Sequence, residues 1–129
     1  MPQKIEIIAG TVRVEAELND SPSATSIADA LPIKARAQRW GGEIYFRIPV
    51  TAELEEDSRD VLEAGELAYW PPGKAFCIFF GPTPASQGDE IKAASQVNIV
   101  GKMKGDWSGL WDVPDGAGVI IQTAQGVNH

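Results

Sequence analysis

Apolar and polar residues alternate along much of this chain with a period of two, the spacing that turns one face of a β-strand inward. Residues 12–18 show it most plainly, with Val12, Val14, Ala16 and Leu18 separated by Arg13, Glu15 and Glu17. Residues 5–9 form a second apolar-rich run, and Gly10 between the two predicts a hairpin. In 43–48, Ile44, Phe46 and Ile48 share one face while Glu43, Tyr45 and Arg47 share the other; Pro49 ends the strand or sets it at an edge. Further strands are predicted over 65–70 and 75–80, joined by Pro71-Pro72-Gly73-Lys74, and over 97–100 and 119–123. Residues 33–38 show a weaker strand pattern, followed by a turn signal at Trp40-Gly41-Gly42. The cluster Asn19-Asp20-Ser21-Pro22-Ser23 is turn chemistry that also supplies an N-cap, so a short helix is expected over 25–31, stopped near Pro32. Residues 107–111 read as a helical turn, 53–60 as an acidic surface loop or one helical turn, and 81–95 as an irregular loop.

About eight short strands, punctuated by 13 Gly and 9 Pro, predict a mainly β fold, a closed β-barrel with one or two short helices. The 129 residues suit a single domain with its core over about 5–123, and no repeat, low-complexity tract or linker divides them.

Composition narrows the chemistry. The formal charge is −7, with a pI near 4.6, and no Lys/Arg stripe is present. Displacing counterions from phosphates needs clustered cations, so nucleic acid and an anionic membrane are not expected partners. The single cysteine, Cys77, rules out an internal disulfide. MPQKIEII lacks an apolar signal-peptide region, no apolar run reaches the roughly 18 residues of a membrane span, and a cytoplasmic location is expected by default. The single histidine is His129, the last residue of the sequence, a poor place to hold a catalytic imidazole. Zinc sites of His or several Cys are unavailable. The acidic stretch 53–60 lacks the spacing that wraps calcium, and no Gly-rich phosphate cradle occurs. No cofactor, metal or catalytic residue is therefore assigned.

Three strings carry a resemblance: WGGEIYF, GELAYWPPGKAFCIFFGPTP and VNIVGKMKGD. They resemble the small cyclophilin-like proteins of unknown function found mainly in prokaryotes, over roughly 5–121, and more distantly the true cyclophilins, which are prolyl isomerases. The resemblance implies an eight-stranded antiparallel barrel, closed around a packed interior, with two capping helices. In the isomerases an arginine of a Phe-His-Arg-Ile strand meets the twisted amide; Tyr45-Phe46-Arg47-Ile48 places Arg47 at that motif position. The groove's glutamine and phenylalanine would fall on Ala75 and Cys77, and its histidine on Val97. The loop tryptophan has no counterpart, Lys92 lying nearest. An arginine without that aromatic floor loses the orientation that catalysis needs, so efficient prolyl isomerisation is not expected.

Strand parity sets Phe76, Ile78 and Phe80 inward with Leu67, Tyr69, Ile44 and Phe46. The opposite parity collects Tyr45, Arg47, Ala68, Trp70, Ala75, Cys77 and Phe79 on an outer face richer in aromatics than solvent exposure favours. The candidate ligand-binding residues are therefore Tyr45, Arg47, Trp70 and Phe79. Each has a plainer reading: Arg47 as a surface ion pair with Glu43, Trp70 as packing at a barrel end, Cys77 as a small buried hydrophobe. The expected function is a non-catalytic module that binds a small molecule or an extended peptide in the outer groove. A weak or divergent prolyl isomerase relying on Arg47 is the alternative, and a homodimer contact would equally explain the aromatic face.

Overall fold

Pro22 occupies the first helical position after Ser21, whose Oγ accepts from the Ala24 N–H at 3.2 Å, and α1 (Pro22–Ala30) starts there. A missing N–H costs nothing in the first turn, so the helix begins three residues before the expected 25. The computed structural model describes residues 3–124; His129 lies outside them. In this part the chain forms ten strands: β1 (Gln3–Ala9), β2 (Val12–Leu18), β3 (Ile33–Arg36), β4 (Gln38–Trp40), β5 (Glu43–Arg47), β6 (Arg59–Leu62), β7 (Glu66–Trp70), β8 (Ala75–Phe79), β9 (Ile91–Lys104) and β10 (Gly118–Thr123). Short 3-10 turns occupy Pro71–Gly73 and Ser108–Asp112. No helix among the described residues is long and apolar enough to cross a membrane.

Every strand pairing is antiparallel, and the order is β3-β10-β1-β2-β9-β7-β8-β5-β4, with β6 branching off to pair with β9. The expected closed eight-stranded barrel is not what forms: the sheet is open, and its terminal strands β3 and β4 share no ladder. The reason is local. β3 and β4 follow one another through the single residue Ala37, and two strands so joined cannot fold back to pair. The backbone of Ala37 is instead satisfied by the 114–117 turn, donating to the Ala117 carbonyl at 2.7 Å and accepting from Gly116 at 2.7 Å.

The inner face holds the main core, with Ile5, Ile7, Leu18, Ile44, Phe46, Leu67, Tyr69, Phe76 and Ile78 packed against Ile27 of α1. The outer face of β7 and β8 is covered as well. β9 runs 14 residues, and its first half pairs with β6 to lie over that face. A second cluster forms beneath, of Leu62, Ala68, Ala75, Cys77, Phe79, Ile91, Ala93 and Val97. The expected irregular loop therefore ends at Glu90, and the strand expected over 97–100 is much longer. Neither Ile91-Lys92-Ala93-Ala94-Ser95-Gln96 nor the charged Arg59-Asp60 is intrinsically β-favouring; each is held as strand by the other and by the apolar face below.

The acidic stretch 53–60 is partly structural. Buried Asn98 donates to Ser23 Oγ at 2.9 Å and to the Glu53 carbonyl at 2.8 Å, while its amide oxygen accepts from the Glu55 N–H at 2.8 Å. The Glu55 carboxylate accepts from Ser23 N–H and Oγ at 2.9 and 2.6 Å, a charge-assisted cap on the first turn of α1.

Candidate functional site

Strand register organises the outer face into rows. Trp40 opposes Glu43 across the β4–β5 hairpin, and Glu43 opposes Phe79 on β8. Tyr45 opposes Cys77, which opposes Ala68; Arg47 opposes Ala75, which opposes Trp70. Arg47 and Trp70 thus share a face and stand two strands apart, about 10 Å at ordinary strand spacing.

A pocket of about 240 Å³ opens on these rows beside the first half of β9. Trp40 and Trp70 form two of its walls, and Glu43, Tyr45 and Cys77 come from β5 and β8. Ala93, Ala94 and Val97 of β9 close it from above. The small side chains Cys77, Ala93 and Ala94 share the lining with the two indoles, and their size leaves the space unfilled. The Trp70 indole N–H donates to Ser95 Oγ at 2.7 Å, tying β7 to β9 and fixing the ring's position. Trp40 is placed by a two-residue turn at Gly41-Gly42. A Cβ on Gly42 would come within 2.3 Å of the Gly81 backbone, so only glycine lets the hairpin pack there.

Glu43 is the charged member of the lining and is only 5% exposed. Burial lifts its pKa from the ordinary 4.5 to about 7, partly offset by a hydrogen bond from the Cys77 thiol. A thiol is a weak donor, and no Lys, Arg or His lines the pocket. Burial, and then the neighbouring carboxylate, push the Cys77 thiol well above its usual range, which disfavours the thiolate form.

Of the four residues picked from sequence, Tyr45 and Trp70 line the pocket. Arg47 shares their face but is exposed and outside the lining. Phe79 is fully buried in the second cluster beneath β6 and β9 and is unavailable to a ligand in this arrangement. Sequence reasoning missed Trp40, read as part of a turn, and Glu43, read as a surface partner for Arg47. Parity did place Glu43 with Tyr45; the further signal was the Gly-Gly turn, which sets Trp40 directly opposite it. The contribution of β9 had no such signal.

A family model described as Cyclophilin-like matches residues 3–122. This chain belongs to the cyclophilin-like family. Two solved structures extend that result. The solution structure of a hypothetical protein from Archaeoglobus fulgidus is 45% identical, with a TM-score of 0.82, and the match covers 95% of each chain. McbB, solved in complex with tryptophan, is 14% identical with a TM-score of 0.67, covering 97% of this chain and 46% of its own, a likeness of fold. Among curated proteins, none matches. Of the positions that the resemblance sets against the isomerase groove, Cys77 and Val97 line the pocket of this cyclophilin-like chain, whereas Arg47 does not.

A larger cleft of about 530 Å³ lies across β1, β2 and β10. Four of its charged side chains form pairs, Arg13 with Glu6 at 2.9 Å and Lys104 with Glu17 at 3.5 Å, and Gln122 also binds Glu6. Such exposed pairs have little left to offer a ligand.

Proposed function

We propose that this chain is a non-catalytic binding module whose ligand, a small molecule, enters the pocket between Trp40 and Trp70. The observation that carries this reading is the buried Glu43 carboxylate on an otherwise apolar and aromatic lining. Concave, mostly apolar sites with a few convergent polar groups are where small ligands bind. At about 240 Å³ the pocket lies below the roughly 300–1,000 Å³ typical of drug-sized ligands, which favours a single-ring molecule over an extended peptide. McbB has this fold and was solved with tryptophan. At 14% identity that likeness speaks for the fold, and the reading draws on this chain's own lining.

Ala94 is exposed and lines the pocket mouth, so Ala94→Trp blocks entry with little effect on folding. In a fragment screen read by thermal shift, compounds that raise the melting temperature of the native chain should fail on Ala94→Trp and keep their effect on Arg47→Ala. Hits that stabilise the blocked variant equally well would reject this pocket. Hits lost only in Arg47→Ala would return the site to the open groove.

A further inference from the structure

We infer that the pocket selects an organic cation, a small aromatic ammonium whose charged group meets the Glu43 carboxylate while its ring lies among Trp40, Trp70 and Tyr45. This deepens the proposal above and rests on it.

Glu43 lacks a strong hydrogen-bond donor among the residues that line the pocket. As a residue Glu43 is only 5% exposed, and its side chain lines a cavity with no cationic lining residue. The Cys77 thiol is the weak donor beside it. Other buried or capping carboxylates among the described residues are satisfied by strong donors. Glu66 receives two bonds from Arg59, at 2.8 and 2.6 Å, and Glu55 receives both donors of Ser23. Of these, Glu43 alone has no nitrogen or hydroxyl donor, and it lines an otherwise apolar and aromatic cavity.

An isolated buried carboxylate is costly, and the cost is removed only by a partner of opposite charge with donors. A bound ammonium supplies both. Indole and phenol rings add attraction, because their electron-rich faces favour a cation over a neutral or anionic group. An anion would meet like charge in a mostly apolar site, and the chain's net charge of −7 disfavours its approach while drawing cations in. A neutral alcohol can donate one hydrogen bond but leaves the charge unpaired.

Three probes of one skeleton separate these cases: phenethylamine, 2-phenylethanol and phenylacetate. Each is titrated at pH 8 into the isotope-labelled full chain, following the Trp40 and Trp70 indole signals and the Glu43 and Cys77 amides. An alkylammonium keeps its proton at that pH, as lysine does. The expected result is that phenethylamine shifts these signals and binds about tenfold or more tightly than 2-phenylethanol, the usual scale of a hydrogen bond to a charged group. Phenylacetate should leave them unmoved. Glu43→Gln should bring the amine down to the level of the alcohol. Equal binding of amine and alcohol, or no effect of Glu43→Gln in a folded variant, overturns the cation assignment and leaves the pocket standing. Silence from all three at millimolar concentrations overturns the pocket itself. Should Glu43→Gln not fold, Trp40→Leu serves: loss of amine binding with little change for the alcohol supports the inference, and equal losses refute it.

Discussion

Trp70 donates its indole N–H to the hydroxyl of Ser95 at 2.7 Å, and this bond joins the wall of the pocket to the strand that closes it. Ser95 is exposed, so the bond competes with water and contributes little to global stability. Ser95→Ala should cost less than about 1 kcal/mol in urea unfolding. The Trp70 indole signal should nevertheless move and its side-chain relaxation change, since the ring loses its tether. An indole spectrum identical to that of the native chain would show that packing alone holds the ring.

Glu43 makes stability depend on pH in an unusual direction. The folded chain keeps its Glu43 proton up to about pH 7, whereas the unfolded chain releases it near 4.5. Folding therefore takes up a proton between these values. This contribution falls as pH rises across the window and is flat above it, a loss of about 3 kcal/mol at most. Glu43→Gln should lack that slope. Urea midpoints of both forms at pH 5, 6, 7 and 8 test it: the native chain should lose ground to the variant steadily up to pH 7 and no further. Parallel curves would mean that Glu43 titrates normally.

Buried Asn98 links three segments, the start of α1, the acidic stretch and β9, through bonds to Ser23, Glu53 and Glu55. Asn98→Ala would leave a cavity beside fully buried Ser23 and remove the partner of the part-buried Glu55 N–H and Glu53 carbonyl. The expected cost is about 3 kcal/mol, seen as a lower urea midpoint with an unchanged slope. Asn98→Asp should be worse, since an acceptor would then face the Glu53 carbonyl.

Arg59 grips Glu66 with both terminal nitrogens and holds β6 beside the start of β7, while the Glu63 N–H donates to the same carboxylate at 2.7 Å. Burial alone would raise the Glu66 pKa, but the Arg59 hydrogen bonds and the Glu63 N–H outweigh it and hold it below 4.5. The stabilisation is present above that value and fades as pH falls through the depressed pKa. Arg59→Ala should destabilise the chain by about 1–3 kcal/mol at pH 7, with the difference shrinking in acid. Hydrogen exchange should show the first half of β9 losing protection first, because β6 is its partner there.

Arg47 gives the isomerase alternative its one foothold. The barrier to prolyl rotation is about 18–20 kcal/mol, and an exposed cation beside Ala75 lacks the surfaces that would hold a proline ring against it. A proline peptide should isomerise at its uncatalysed rate with native chain or with Arg47→Ala. Acceleration that disappears in the variant would overturn the non-catalytic reading.

Period-two patterning at Val12–Leu18 was legible because one face of the strand meets an apolar core and the other does not, so the sequence records the burial directly; at Glu43–Arg47 it marked Ile44 and Phe46 as inward, although Glu43 on the other face is buried too. The same logic assigned Phe76 and Ile78 inward and Cys77 and Phe79 outward, as the two clusters have them. It failed where outward did not mean exposed. Phe79 obeys the parity and is still sealed off, because β6 and the first half of β9 lie over it, and those segments carry no pattern of their own.

Residue order by itself therefore determined the family, the mainly β class, the inner core and the side of the sheet on which the residues of β2, β5, β7 and β8 stand. These follow from local alternation and from strings of neighbouring residues. Tertiary structure alone decided that the sheet stays open at Ala37, that a second layer covers β7 and β8, and that Trp40, Glu43 and Trp70 surround one cavity. Each of these joins segments far apart in the chain, and the energy that settles them lies in contacts no single segment makes.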